Sequence, residues 1–256
     1  MTALRPPLST YEAMALRLHS NAVLYPKFGQ NLDVDASTAP EDIVLQGGTY
    51  AGFPITNGET VEIFSSSTAD AAAGTGLRTV RIFGLDENWT RQVADVTLNG
   101  TTPVTASGIW TRLTFVKALT GGSGMTNAGT ITVRHTGTTA NVFASMPAGT
   151  IPSQIAAFTT EDNYTGIMRN LRVAASNNNQ TDQEVRVAVF TREFGSPVWE
   201  SQRQMIVRTN APGLDSSDVM LVIPPKTDLK IRATGATADN LRVTARFDMI
   251  TIQGVY

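Results

Sequence analysis

From Thr60 onward the chain is a series of short runs rich in Thr, Val, Ile and Phe, recurring about every 8 to 14 residues and broken by Gly, Asn, Asp and Pro. That rhythm constrains the fold more than any other feature, because runs so short and so closely spaced are strands that pair through tight turns, as in a sandwich or barrel. The clearest runs are 60–65, 79–84, 92–98, 109–118 and 130–135 in the first half, and 154–159, 168–174, 184–191, 198–208, 219–223, 229–233 and 241–252 in the second. Asn57-Gly58 and Asn99-Gly100 fall between runs, and this pair suits the left-handed positions of a hairpin turn, so two hairpins are expected there.

Several runs alternate cleanly. Val185, Val187 and Val189 oppose Arg186 and Ala188, and Leu229 and Ile231 oppose Lys230 and Arg232. One face of each strand is therefore dry and the other wet or shared. In the last run Leu241, Val243, Ala245, Phe247 and Met249 keep step, and then Ile250 and Ile252 take the other parity, which calls for a bulge near Met249 or burial on both faces. Arg81, Arg134, Arg172, Arg186, Arg232 and Arg242 each stand alone among apolar neighbours, projecting from faces that are either solvated or bridged to neighbouring subunits.

The start differs. Ser9-Thr10-Tyr11-Glu12 has the form of a capping box, and the apolar residues around it predict one short helix from Thr10 to Ser20. The segment 21–40 loses periodicity while keeping Val23, Leu24, Tyr25, Phe28 and Leu32, as expected of an extended arm lying on its own domain or on a neighbour. Gly121-Gly122-Ser123-Gly124 marks an exposed loop and Met146 to Thr150 a further break. The expected organisation is all-β: a helix and arm over 1–40, then two β-sandwich, jelly-roll-like domains over 41–148 and 149–256, which a chain of 256 residues is long enough to build.

Composition narrows the function. No apolar run approaches the ~18 to 20 residues needed to cross a bilayer, so a soluble chain without a membrane partner is expected. The first 21 residues lack the pattern of a secretory signal. A net charge of −2 with 16% charged residues gives no basic footprint for nucleic acid. Sixteen Arg against four Lys lean mildly toward protein interfaces, or reflect genome composition. There is no cysteine, hence no disulfide or thiolate site.

A search for chemistry gives little. His19 and His135 are the only histidines, and no G-x-S-x-G elbow, P-loop or H-E-x-x-H is present. Gly122 and Gly124 begin a G-x-G-x-x-G, but Asn127 stands at the third glycine. Acidic pairs that could serve a glycosidase are Asp86 with Glu87, Glu161 with Asp162, Asp215 with Asp218, and Glu193 with Glu200, although each lies at a turn or strand end where such residues also serve the backbone. Asn31, Asp33 and Asp35 alternate oxygen donors but lack the Gly and Glu of a calcium loop. No enzyme, cofactor or metal is expected. Trp89, after Asp86-Glu87-Asn88, is the best of the three tryptophans for stacking on a sugar, with core or interface packing as the alternative use.

TADAAAGTGLRTVRIFGLDENW from Thr68, VTLNGTTPVT from Val96 and GGSGMTNAGTITV from Gly121 resemble a recurring pattern in virion structural proteins of tailed bacteriophages. The resemblance covers about a quarter of the chain and transfers no catalytic residue. It implies a β-rich, oligomeric, non-enzymatic component on the outside of the particle, made in the host cytoplasm. A capsid decoration, or cement, protein that binds the major capsid protein as a homotrimer is the expected role, with Leu8, Met14, Leu18, Tyr25 and Phe28 as candidate shell or subunit contacts. A head-fibre or tail adhesin binding host glycans through Trp89 is the alternative, and a glycoside-cleaving virion enzyme the third.

Overall fold

Long alternating strands need partners for their backbone amides, and here they find them in neighbouring antiparallel strands. The computed structural model describes residues 21–36, 39–55, 58–177, 182–209, 211–216, 221–235 and 240–254. These form four small antiparallel sheets, set out like the blades of a four-bladed propeller. The first runs β1 (Ala22–Val34), β17 (Leu241–Gln253), β11 (Tyr164–Ser176), with the short β14 (Leu214–Ser216) and β15 (Leu221–Ile223) both on the far edge of β11. The second runs β10 (Ala157–Thr159), β16 (Thr227–Gly235), β12 (Glu184–Glu193), β13 (Glu200–Arg208), and β16 also pairs with β2 (Glu41–Asp42). The third is β6 (Val104–Thr105), β3 (Val61–Ser65), β8 (Ile131–His135), β9 (Val142–Met146), and the fourth β5 (Arg91–Thr97), β4 (Leu77–Leu85), β7 (Arg112–Gly121).

All-β character holds; the expected pair of jelly-roll-like sandwiches with a helix and an arm does not. The described residues contain no helix, and the helix expected over 10–20 lies outside them. The expected arm is strand β1, in register with β17 from Ala22↔Ile252 to Val34↔Leu241. It is held close at Gly29, where an added Cβ would fall 2.2 Å from the amide nitrogen of Ala156. β1 and β2 thus join sheets whose other strands all come from beyond residue 156. The Asn99-Gly100 turn forms, with Gly100 at φ 60°, but it passes the chain from β5 in the fourth sheet to β6 in the third instead of closing a hairpin. Asn57 lies outside the described residues.

Two large apolar clusters sit beneath the sheets. One draws Val173, Val187, Ile231, Val243 and Phe247 from the first two sheets, the other Ile63, Ile82, Val116, Val133 and Phe143 from the third and fourth. The parity switch in β17 is burial on both faces: Phe247 to Thr251 are all buried, and Ile250 packs with Ala22, Leu24, Ile167 and Ile252 in a small third cluster.

The first and third of the segments that carry the phage resemblance meet at one buried carboxylate. Asp70 accepts from Ser65 Oγ (2.6 Å) and from the amides of Leu77 (2.8 Å), Ala128 (2.9 Å) and Gly129 (2.9 Å). Burial alone would raise its pKa, but these four donors hold it below the usual carboxylate value. Gly76 has no room for a side chain, since its Cβ would stand 2.1 Å from Asp70 Oδ1. The glycine-rich loop closes over the same place, with Gly122 and Gly124 donating at 2.7 Å to the carbonyls of Gly76 and Thr75. The near match to a dinucleotide loop is therefore a turn-packing device.

Candidate functional site

Asp228, Lys230 and Arg232 follow one another at every second position of β16, so all three project from the face opposite Leu229 and Ile231. At Asp228 and Lys230 that face is dry, while the Arg232 side chain is 21% exposed. Arg112 of the fourth sheet and the Trp199 ring lie against it, and Asp228 and Lys230 are buried.

Arg112, the first residue of β7, reaches Asp228 through two parallel bonds, Nε to Oδ1 at 2.8 Å and Nη2 to Oδ2 at 2.9 Å. Gly84 on β4 permits this position, because a Cβ there would come within 2.2 Å of the Arg112 carbonyl oxygen. Arg192 of β12 adds Nη2 to Asp228 Oδ2 at 2.7 Å, and Thr159 Oγ1 donates to Oδ1 at 2.7 Å. Both carboxylate oxygens of Asp228 are saturated with donors. Two positions along β16, Lys230 Nζ lies 3.1 Å from Asp42 Oδ2, and Arg232 Nε 3.2 Å from Asp42 Oδ1. Burial pushes the Asp42 carboxyl up, with Lys230 opposing, and pulls the Lys230 ammonium down.

Aromatic rings wall in the charges. The Arg112 guanidinium lies 5.2 Å from the Trp89 ring and 5.6 Å from that of Phe53, while the Trp199 ring has Arg192 at 4.5 Å and Lys230 at 4.3 Å. Such contacts offset part of the cost of keeping cations out of water. Chemically, this seam clamps sheets together: Arg112, Arg192 and Thr159 spend hydrogen bonds on Asp228 and Lys230 on Asp42, while Asp42 Oδ1 and the Nε atoms of Arg192 and Arg232 have no hydrogen-bond partner among the described residues.

The candidate contact residues separate. Leu8, Met14 and Leu18 lie outside the described residues. Tyr25 points inward, donating to Glu161 Oε1 at 2.9 Å and packing on Phe158, and burial drives its phenol pKa well up. Phe28 stands on the outer face of the first sheet, 42% exposed, with Leu32 41% exposed on the same face. Trp89 is 5% exposed and held at φ 61°, its ring edge-on to Phe194 at 4.6 Å, so it offers no open face to a sugar.

His135 is fully buried, with Nε2 at 2.9 Å from the Trp110 carbonyl and Nδ1 at 3.3 Å from the Asn141 amide, and these contacts include no serine. Asp86 serves its turn, accepting from the amides of Asn88 and Thr90. Glu193 and Glu200 line a shared cavity of about 320 Å³ with Arg192 and Gln202. Glu161 and Asp162 line another. Asp218 lies outside the described residues. Asn31 spends its amide on Glu41 and on the Asp42 carbonyl, and no group of three or more His, Asp or Glu among the described residues is placed to hold a metal ion. Sequence reasoning missed Asp228, Asp42, Arg112 and Arg192; the available signal was charge of both signs at alternate positions within one short apolar strand.

No protein-family model matches the chain, and a search of curated proteins finds no match. Among solved structures, the infectious bursal disease virus VP2 subviral particle aligns over 91% of this chain and 73% of that one, at 11% identity and a TM-score of 0.23. The structure of the Gt strain of the same virus aligns over 92% and 74%, at 10% identity and a TM-score of 0.21. These similar proteins belong to virus particles, but likeness at that level carries no argument about this chain.

Proposed function

We propose that this chain is a non-enzymatic structural protein of a virus particle, a capsid decoration protein that binds the outside of the major capsid shell as a homotrimer. The observation that carries the reading is the seam itself. The buried charges of Arg112, Arg192 and Asp228 tie separate sheets together, an arrangement suited to rigidity. The phage-like wording of residues 68–133 supports the same role. Phe28 and Leu32 on the open face of the first sheet supply apolar contact for the shell, and neither nucleic acid nor membrane is needed as a partner.

The test is co-sedimentation of the purified chain with shells lacking it, alongside sedimentation equilibrium of the chain alone. A trimer that binds at a fixed, saturable ratio and raises the shell's melting temperature supports the proposal. A monomer that stays in the supernatant sinks it.

A further inference from the structure

Arg172 and Arg242, which stand singly among apolar residues in the sequence, meet two further arginines on the outer face of the first sheet. Arg242 and Arg246 of β17 and Arg169 and Arg172 of β11 are all exposed, while Met168, Val173, Val243 and Phe247 beside them point into the core. Arg172 and Arg246 lie directly opposite each other across the β11–β17 ladder, and Phe28 faces Arg246 from β1 on the other side. Like charges at directly opposed positions repel, so the sheet carries a cost that its own packing does not explain.

The chain does not neutralise this face. Among the described residues, Arg169, Arg242 and Arg246 enter no ion pair and no side-chain hydrogen bond. Asp248 stands opposite Arg169, but it is only 9% exposed and its Oδ2 accepts from Asn170 Nδ2 at 2.7 Å, within the β11 bulge. The positive surplus is local, since the whole chain carries −2.

The surroundings of the arginines say which anion. A guanidinium fork matches a carboxylate, and Phe28 and Leu32, 42% and 41% exposed, add apolar surface on the same face. Arginine beside an aromatic ring and aliphatic surface is the composition of a protein–protein contact. A nucleic acid would meet the arginines with phosphates but leave Phe28 and Leu32 without an apolar partner, and the negative chain as a whole repels a long polyanion.

We infer that the outer face of the first sheet docks a carboxylate-bearing protein surface, with Arg169, Arg242 and Arg246 as its anion contacts and Phe28 beside them. For the partner's identity this rests on the shell-binding reading, and it makes the contact surface of the shell acidic.

Two measurements keep the docking chemistry and the shell apart. In the first, the full chain without shells is passed over immobilised poly-L-glutamate. Retention is expected, and Arg242→Glu and Arg246→Glu are each expected to weaken it about tenfold, whereas Arg203→Glu, the same charge change on exposed β13, leaves it unchanged. Arg246→Glu also sets opposite charges across from Arg172, so its melting temperature is expected to equal or exceed that of the parent chain. In the second, shells lacking the chain are titrated at about 50 and about 300 mM salt, and binding about tenfold weaker at the higher salt and in either reversal supports the inference. No retention on poly-L-glutamate, an equal loss in Arg203→Glu, or equal retention on duplex DNA overturns it. Shell binding indifferent to salt and to both reversals also overturns it while leaving the shell-binding role standing. Retention on poly-L-glutamate that the reversals abolish, without binding to shells, upholds the acidic partner and removes the shell.

Discussion

Arg112 and Asp228, 116 residues apart in the chain, face each other through two bonds of 2.8 and 2.9 Å with side-chain exposures of 1% and 0%. The pair ties the fourth sheet to the second. Desolvating both charges costs much of what their attraction returns, so the pair fixes which surfaces meet more than it adds net stability.

Removing one partner leaves the other buried and under-compensated. Arg112→Met and Asp228→Asn are each expected to lower unfolding stability by about 3 kcal/mol, and the double variant by clearly less than the sum. Urea denaturation of the four proteins checks this; additive losses would show that the pair is not coupled.

Lys27 of β1 is buried with its ammonium 2.6 Å from the Thr114 carbonyl, and burial pulls its pKa down to about 7. The unfolded chain keeps that proton to about pH 10.4, so between these values the unfolded state binds more protons and stability rises with pH. Below pH 7 both states are protonated and the penalty is fully present. Lys27→Met is expected to flatten that rise and to stabilise the protein by roughly 3 kcal/mol at pH 7 and below. Denaturation curves from pH 6 to 10 read both effects.

Asp70→Ala strips four donors of their acceptor and is expected to cost about 3 kcal/mol at neutral pH. Since the native carboxyl titrates below its unfolded value, its contribution is present above about pH 3.9 and lost as the pH falls through the lower native value. The gap between wild-type and variant melting temperatures should therefore narrow on acidification.

If β1 is an integral strand, its amides exchange as slowly as those of β17, and Gly29→Ala, which drives a methyl into the Ala156 backbone, unfolds or severely weakens the protein. Fast exchange over residues 24–31 beside slow exchange in β17 would instead describe a detachable arm.

Local pattern was readable where one face is apolar. The Val185, Val187, Val189 and Leu229, Ile231 alternations lie in β12 and β16 as the sequence implies, with those residues in the core. β1 was hidden because its inward face carries Tyr25, Lys27, Gly29 and Asn31, a polar set that breaks the alternation. Sheet membership was hidden for a different reason. Alternation states which side of a strand is dry but not which strand lies beside it, so four sheets look like two sandwiches. The seam escaped notice because Lys230 and Arg232 read as a solvated face until Asp42 is seen against them. Trp89, placed correctly at a turn, is turned inward by its left-handed backbone.

The most direct measurement is an image reconstruction of particles with and without this chain. Discrete trimeric density on the outer capsid surface, absent when the chain is absent and fitted by its four sheets, is the result expected. Particles identical in both preparations, or density confined to the interior, would contradict the account.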